Sequence, residues 1–233
     1  MLELQNVSVV YSDKTKAVDG ISLTVGKGEN IALIGENGAG KTSLLLSIVG
    51  VLEPESGTVT VDGVQLGKKT INEIRKRVGL VFQNPDDQLF TPLIYDDIAF
   101  GCRNFGMPED KIALRVDETL ARLNITHLRN RSPLKLSGGE KRIAAIATVL
   151  AMEPSVLMFD EPTAFLDHKA RRSLIGILQK LDHTKIVATH DLTFVAEVCN
   201  RVIILLKGRI AADGPLSLLH DKELMHNCGL EAI

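Results

Sequence analysis

Apolar and polar residues alternate from Leu2 to Val10, with Leu2, Leu4, Val7 and Val9 apolar. This period of two predicts a strand, with an irregularity at Asn6. Ile21 to Val25 reads as a second strand. The apolar run Asn30 to Ile34, bounded by Gly28 and Gly35, reads as a buried one. Helical spacing follows from Lys41 to Val49, and Gly57 to Val61 and Val78 to Phe82 are further strands. The chain to this point is β-rich with one helix. From Ile94 to Asn124 the pattern turns helical. Pro108 before Glu109 and Asp110 marks a helix start, with Ile112, Val116, Leu120 and Leu123 on one face. Gly138 to Met152 predicts another helix. Val156 to Phe159 and Ile186 to Ala188 are expected as buried parallel strands, and Val202 to Ala212, turning at Lys207-Gly208, as a hairpin. No internal repeat or low-complexity segment interrupts the pattern.

The length of 233 residues suffices for one large α/β domain or two subdomains. A formal net charge of −2 argues against nucleic acid held by bulk positive charge. Cys102, Cys199 and Cys228 stand far apart, so neither a disulfide framework nor a zinc site is expected, and a reducing compartment fits. The first residues lack the basic and apolar regions of a signal peptide, and no apolar stretch is long enough to span a bilayer. A soluble chain is expected, with any membrane role supplied through a partner.

Residues 35 to 42 read Gly35-Glu36-Asn37-Gly38-Ala39-Gly40-Lys41-Thr42, a complete phosphate-binding loop between a strand and a helix, followed by Ser43. The glycines let backbone N–H groups point at phosphate oxygens, at the positive end of the helix that follows. Lys41 is placed for the β- and γ-phosphates, and Thr42 offers a hydroxyl to Mg²⁺. Val156 to Glu161 is an apolar strand ending in two acids, where α/β sheets bind ligands. Asp160 is the candidate Mg²⁺ partner through water, and Glu161 the candidate that polarises the attacking water. Leu136-Ser137-Gly138-Gly139-Glu140 opens a helix with a hydroxyl and free N–H groups, a second anion site that one nucleotide does not obviously need.

The ordered motifs resemble the ATP-binding cassette (ABC) ATPases, the motor subunits of ABC transporters, over essentially the whole chain. The resemblance implies an α/β P-loop NTPase core with a β-rich N-terminal subdomain and a helical subdomain. Residues 1–83 and 153–233 would form the core and 84–152 the mainly helical part of a single domain. It implies an ATPase using Mg²⁺ with ATP. It also implies that Ser137, Gly138 and Gly139 of one subunit complete the ATP site of a second ABC ATPase subunit. By the same likeness Gln83 matches the glutamine that reaches metal and attacking water, and His190 the histidine that contacts the γ-phosphate. Asp167 matches the loop that crosses to the other subunit, and Tyr11 the aromatic that stacks on adenine.

A narrower likeness lies in Phe82-Gln83-Asn84-Pro85-Asp86-Asp87-Gln88-Leu89-Phe90, which looks like the ATPases of energy-coupling-factor transporters. Those import cobalt, nickel or vitamins such as biotin, and the cobalt-type member is the nearer match. The implied protein is peripheral at the cytoplasmic face of the membrane, bound to a transmembrane component, with no nucleic acid. Asn84 to Phe90 is expected as the docking surface, because it directly follows Gln83 and mixes the acids Asp86 and Asp87, a charged rim, with Leu89 and Phe90 as apolar anchors. Phe165 departs from the small residue usual in the Asp167 loop. Several relatives carry a longer C-terminal extension, so a monomer without ATP is expected. Another P-loop enzyme would leave Ser137 to Glu140 unexplained, and no Asn/Thr-Lys-x-Asp guanine-reading segment is present. A non-transport ABC protein would usually carry two cassettes or a long coiled insertion.

Overall fold

The computed structural model describes residues 1–233. They divide into two compact units, residues 1–80, 155–161 and 182–233 forming the first and residues 81–154 and 162–181 the second. In chain order the elements run β1 (Leu2–Val10), β2 (Lys16–Val25), β3 (Asn30–Ile34), α1 (Lys41–Ile48), β4 (Ser56–Val61), β5 (Val64–Gln65), α2 (Ile71–Arg77) and β6 (Val78–Val81). Three helices follow, α3 (Ile94–Asn104), α4 (Glu109–Arg122) and α5 (Gly138–Leu150). The chain closes with β7 (Val156–Asp160), α6 (His168–Gln179), β8 (Thr184–Ala188), α7 (Leu192–Val198), β9 (Arg201–Leu206), β10 (Arg209–Pro215) and α8 (Lys222–Asn227).

An antiparallel sheet of order β2-β1-β4-β5 lies in the first unit. The buried set of β1 switches parity, from Leu2 and Leu4 to Val7 and Val9. One extra residue is needed for that switch. Asn6 supplies it in a left-handed conformation (φ 49°), and the register with β2 shifts between Leu4 and Val7. Opposite the bulge, a Cβ at Gly57 would lie 2.4 Å from the carbonyl oxygens of both Gln5 and Asn6, so only glycine fits there.

The larger sheet has the order β10-β9-β3-β8-β7-β6. β3 runs parallel to β8 and β9, and β7 parallel to β8. The C-terminal ends of β3, β7 and β8 therefore share one edge, the edge at which parallel sheets carry ligands. Two backbone bonds hold that edge together: Glu161 N–H donates to the Ala188 carbonyl at 2.8 Å, and Thr189 N–H to that of Leu33 at 3.1 Å. Both sheets and α1 contribute to one core, in which Val7, Leu45, Met158 and Leu205 are buried. The β9–β10 hairpin turns at Lys207 (φ 48°) and Gly208 (φ 80°), two successive positive φ values that suit the twist of a two-residue hairpin.

The second unit is built around α5, whose residues from Ala144 to Leu150 are all buried and which packs against α3, α4 and α6. Ile112, Val116 and Leu120 of α4 are buried, as their spacing on one face predicts.

Several elements are absent from the sequence reading. α2 buries only Ile74, so it carries no apolar stripe, and its basic last turn and Glu73–Arg77 pair (2.7 Å) support it instead. The Pro108 expectation holds, with α4 beginning at Glu109. α6 and α7 were not expected either. Each starts from an aspartate cap, Asp167 accepting from Ala170 N–H at 2.7 Å and Asp191 from Phe194 N–H at 2.9 Å.

Candidate functional site

The loop from Gly35 to Gly40 joins the edge of β3 to the first turn of α1. Gly40 takes φ 103°, and a Cβ there would lie 2.2 Å from the Ala17 carbonyl oxygen. A side chain is excluded on both counts, and α1 can begin with its N–H groups facing the loop. Glu36, Asn37 and Gly38 are exposed, whereas Ala39 is buried.

Lys41 is 7 % exposed and donates to the carbonyls of Gly35 (2.6 Å) and Glu36 (3.1 Å), bridging the loop that a phosphate would enter. Burial lowers its pKa, and the nearby charges of Glu161 and Asp160 act in the opposite direction. Thr42 Oγ1 donates to Asp160, 2.8 Å from Oδ2 and 3.1 Å from Oδ1, so these two candidates for the metal are in direct contact. Ser43 Oγ lies 2.9 Å from the Tyr11 hydroxyl. That bond attaches the half-exposed Tyr11 ring to the helix that starts at Lys41.

Glu161 is buried and left-handed at φ 42°, a conformation that costs a non-glycine residue roughly 1–2 kcal/mol. Its Oε2 accepts from Thr189 Oγ1 at 2.9 Å and lies 3.0 Å from His190 Nδ1. The His190 ring is largely exposed. Thr189 is fully buried and was not singled out from the sequence, although its place between Ala188 and His190 at the end of β8 was the available signal.

Tyr11, the phosphate loop, Asp160, Glu161 and His190 all lie in the first unit. Gln83, Ser137, Gly138, Gly139 and Asp167 lie in the second. There Ser137 caps α5 in a reciprocal box: Glu140 N–H donates to its Oγ at 3.4 Å, while Ser137 N–H donates to Glu140 Oε2 at 2.8 Å. The bond from Ser137 N–H, and after it one from Ser137 Oγ to Glu140 Oε2 at 2.7 Å, depress the Glu140 pKa. A Cβ at Gly139 would meet that of Ala170 at 2.8 Å, bringing the starts of α5 and α6 together. Asp167 is occupied as the cap of α6, and Phe165 beside it is 88 % exposed with φ 63°. The Gln83 side chain is exposed, while its carbonyl accepts from Arg142, a residue the sequence reading did not single out.

Of the segment read as a docking surface, Leu89 is buried, which removes it as an anchor. Phe90 is 62 % exposed and stands edge-on to Phe100, ring centroids 5.0 Å apart. Asp86 is paired with Lys141 at 2.6 Å.

The family description "ABC transporter" matches residues 18–164. An energy-coupling factor transporter ATP-binding protein of Methanothermobacter thermautotrophicus is 43 % identical over 236 residues, covering 99 % of this chain and 76 % of the relative. Among solved structures, CbiO1 from Clostridium perfringens, part of the ABC transporter complex CbiONQ, superposes with a TM-score of 0.85. Its identity is 38 %, over 97 % of this chain and 93 % of that one. A dimeric ATP-binding cassette in a post-hydrolysis state with ADP and phosphate gives a TM-score of 0.82 at 26 % identity, over 93 % and 99 %. The chain belongs to the ATP-binding subunits of ABC transporters, a family of ATPases whose relatives here include energy-coupling-factor proteins.

Proposed function

We propose that this chain powers a membrane importer of the energy-coupling-factor type and that its cargo is cobalt or nickel ion. The observation that carries the ATPase chemistry is the convergence of Lys41, Thr42, Asp160, Glu161 and His190 on one sheet edge. The cargo rests on the Phe82 to Phe90 segment and on the likeness to CbiO1. A vitamin such as biotin is the alternative cargo, because the energy-coupling-factor likeness covers both.

In this reading the loop amides and the N-terminus of α1 bind the phosphates, and Lys41 exchanges the Gly35 and Glu36 carbonyls for phosphate oxygens. Tyr11 stacks on the base. Glu161 orients the attacking water, and His190, held by Glu161, reaches the γ-phosphate. The hydroxyl of Thr42 and the carboxylate of Asp160 are hard oxygen donors, a set that fits Mg²⁺ with phosphate and water as its other ligands. When bound, Mg²⁺ supplies charge neutralisation to the phosphate oxygens. Gln83 attends the same metal and water. Ser137, Gly138 and Gly139 of a second subunit close over the nucleotide, with Asp167 contacting across.

In this reading the chain sits peripherally on the cytoplasmic face, held there by a transmembrane component; no helix is long and apolar enough to cross a membrane. Its transmembrane partner docks on the surface around Phe90. The test is co-expression with a candidate transmembrane component, followed by vesicle uptake of labelled cobalt, nickel and biotin with ATP inside or outside. ATP-dependent cobalt or nickel uptake supports the proposal, and biotin uptake alone selects the alternative. ATPase activity with no uptake of any of the three overturns both cargo readings.

A further inference from the structure

α5 carries two chemically different groups one and a half turns apart. Ser137 caps its start, and Arg142 lies five residues on, a rise of about 7.5 Å. Arg142 is 1 % exposed. Its Nη1 donates to the Phe82 carbonyl at 2.7 Å and its Nη2 to the Gln83 carbonyl at 2.6 Å. A planar guanidinium holds two consecutive carbonyls from two different nitrogens in a fixed fork, whereas a lysine ammonium is a point charge on a flexible stem and leaves their direction loose. Burying a full charge is costly, so the site is held together by these short charge-assisted bonds.

Other bonds from the same loop run to the same helix. Gln88 Nε2 donates to the Ala145 carbonyl and to Thr148 Oγ1, both at 2.8 Å, and Gln88 Oε1 accepts from Phe82 N–H at 3.1 Å. Lys141 pairs with Asp86 at 2.6 Å. The backbone at Phe82 and Gln83 is thereby fixed to the helix whose first turn is Ser137 to Glu140.

We infer that Arg142 is a positioning residue for hydrolysis: it makes the Gln83 backbone move as one body with the start of α5. Closure at Ser137 then sets Gln83. This rests on the proposed roles of those two residues. With Ser137 facing the nucleotide of one site and Gln83 serving the other, Arg142 links the two ATP sites of a dimer.

The deciding experiment is a double-mutant cycle on single-turnover ATP hydrolysis, using Arg142→Lys, Gln83→Ala and the pair. Arg142→Lys is expected to lower the hydrolysis rate by about 10- to 100-fold, the scale of small misplacements, with ATP affinity unchanged within about twofold. In the Gln83→Ala background the same change is expected to have no further effect, because Arg142 acts through Gln83. Additive losses overturn the inference, as does a wild-type rate for Arg142→Lys. Should that variant fail to fold, hydrogen exchange on the wild-type protein decides. The amides of residues 82–88 and of the first turn of α5 should gain protection together when a non-hydrolysable ATP analogue is added. Protection confined to one of the two segments overturns the inference. Rates independent of protein concentration would overturn the shared-site reading alone, because the cycle still reports on Arg142 within one chain.

Discussion

His190 Nδ1 lies 3.0 Å from Glu161 Oε2, and Thr189 Oγ1 reaches the same oxygen at 2.9 Å. One carboxylate oxygen thus meets both neighbours, and in the proposed role the other takes the attacking water. Glu161→Gln keeps an oxygen that can accept from Thr189 but removes the charge. We expect ATP binding to persist while hydrolysis slows by roughly 10²- to 10⁴-fold, the scale for a positioned base. Bound ATP should then hold two copies together, seen as a dimer by size-exclusion chromatography. Normal turnover, or a monomer at saturating ATP, would contradict the role assigned to Glu161.

Lys41 is a buried cation whose pKa is lowered by burial. With its native pKa below its unfolded one, the folded chain binds fewer protons than the unfolded chain between the two values. The resulting destabilisation is full below the native value, shrinks as pH rises through it and is gone above the unfolded value. Lys41→Met should therefore melt at or above the wild-type temperature without nucleotide at pH 7, and the advantage should shrink toward pH 10. The variant should show no measurable hydrolysis. A nucleotide at 100-fold its Kd stabilises by about 2.7 kcal/mol, or about 5–10 °C for a chain of this size, and that shift should be lost. Calorimetry of both proteins with and without ATP is the check. A lower melting temperature for nucleotide-free Lys41→Met counts against the electrostatic account.

The strand ends and glycine turns that place Lys41, Thr42, Asp160, Glu161 and His190 were legible because each motif closes an apolar strand of parallel-sheet length. Even the bulge at Asn6 could be read from the parity of Leu4 and Val7. Among the features that were not legible, three show why. α2 buries one residue and so has no period to detect. Leu89 and Phe90 are adjacent and equally apolar, and only the folded chain separates the buried one from the exposed one. Arg142 reads as an ordinary basic residue on a helix, because its partners are backbone carbonyls 60 and 59 residues away. Contacts to backbone leave no trace in side-chain pattern.

Ser137 serves α5 as a cap and the proposed dimer as a phosphate contact, and two substitutions separate these roles. Ser137→Ala loses the cap, a cost of about 1 kcal/mol. Ser137→Arg adds bulk and charge at the helix start and should block closure. Hydrolysis should therefore be cooperative in ATP and protein, fall partly in the alanine variant and vanish in the arginine one. Mixing Ser137→Arg with Lys41→Ala protein should restore weak activity, because a mixed dimer contains one site with intact Lys41 and intact Ser137. Wild-type turnover by Ser137→Arg alone would show that each chain is self-sufficient.

The surface around Phe90 offers the cleanest separation of transport from hydrolysis. Asp86 is unsuitable for that test, since charge reversal there would face Lys141 on α5. Asp87 and Phe90 are exposed, and neither is assigned to nucleotide. Asp97 accepts from the backbone N–H groups of Phe90 and Thr91, both at 3.0 Å, so the loop bearing the ring stays in place when the ring is removed. Phe90 and Phe100 together give an apolar anchor, with Asp87 on a charged rim. Losing an anchor of that kind costs about 2 kcal/mol, roughly 30-fold in affinity. Asp87→Arg with Phe90→Ser should leave ATP hydrolysis by the isolated protein within about twofold of wild type. Binding to the transmembrane component should weaken by about that 30-fold, and uptake should fall with it. Normal assembly and uptake by the double variant would place the coupling surface elsewhere on the chain. Loss of hydrolysis by the isolated variant would instead show that this loop serves the nucleotide site directly.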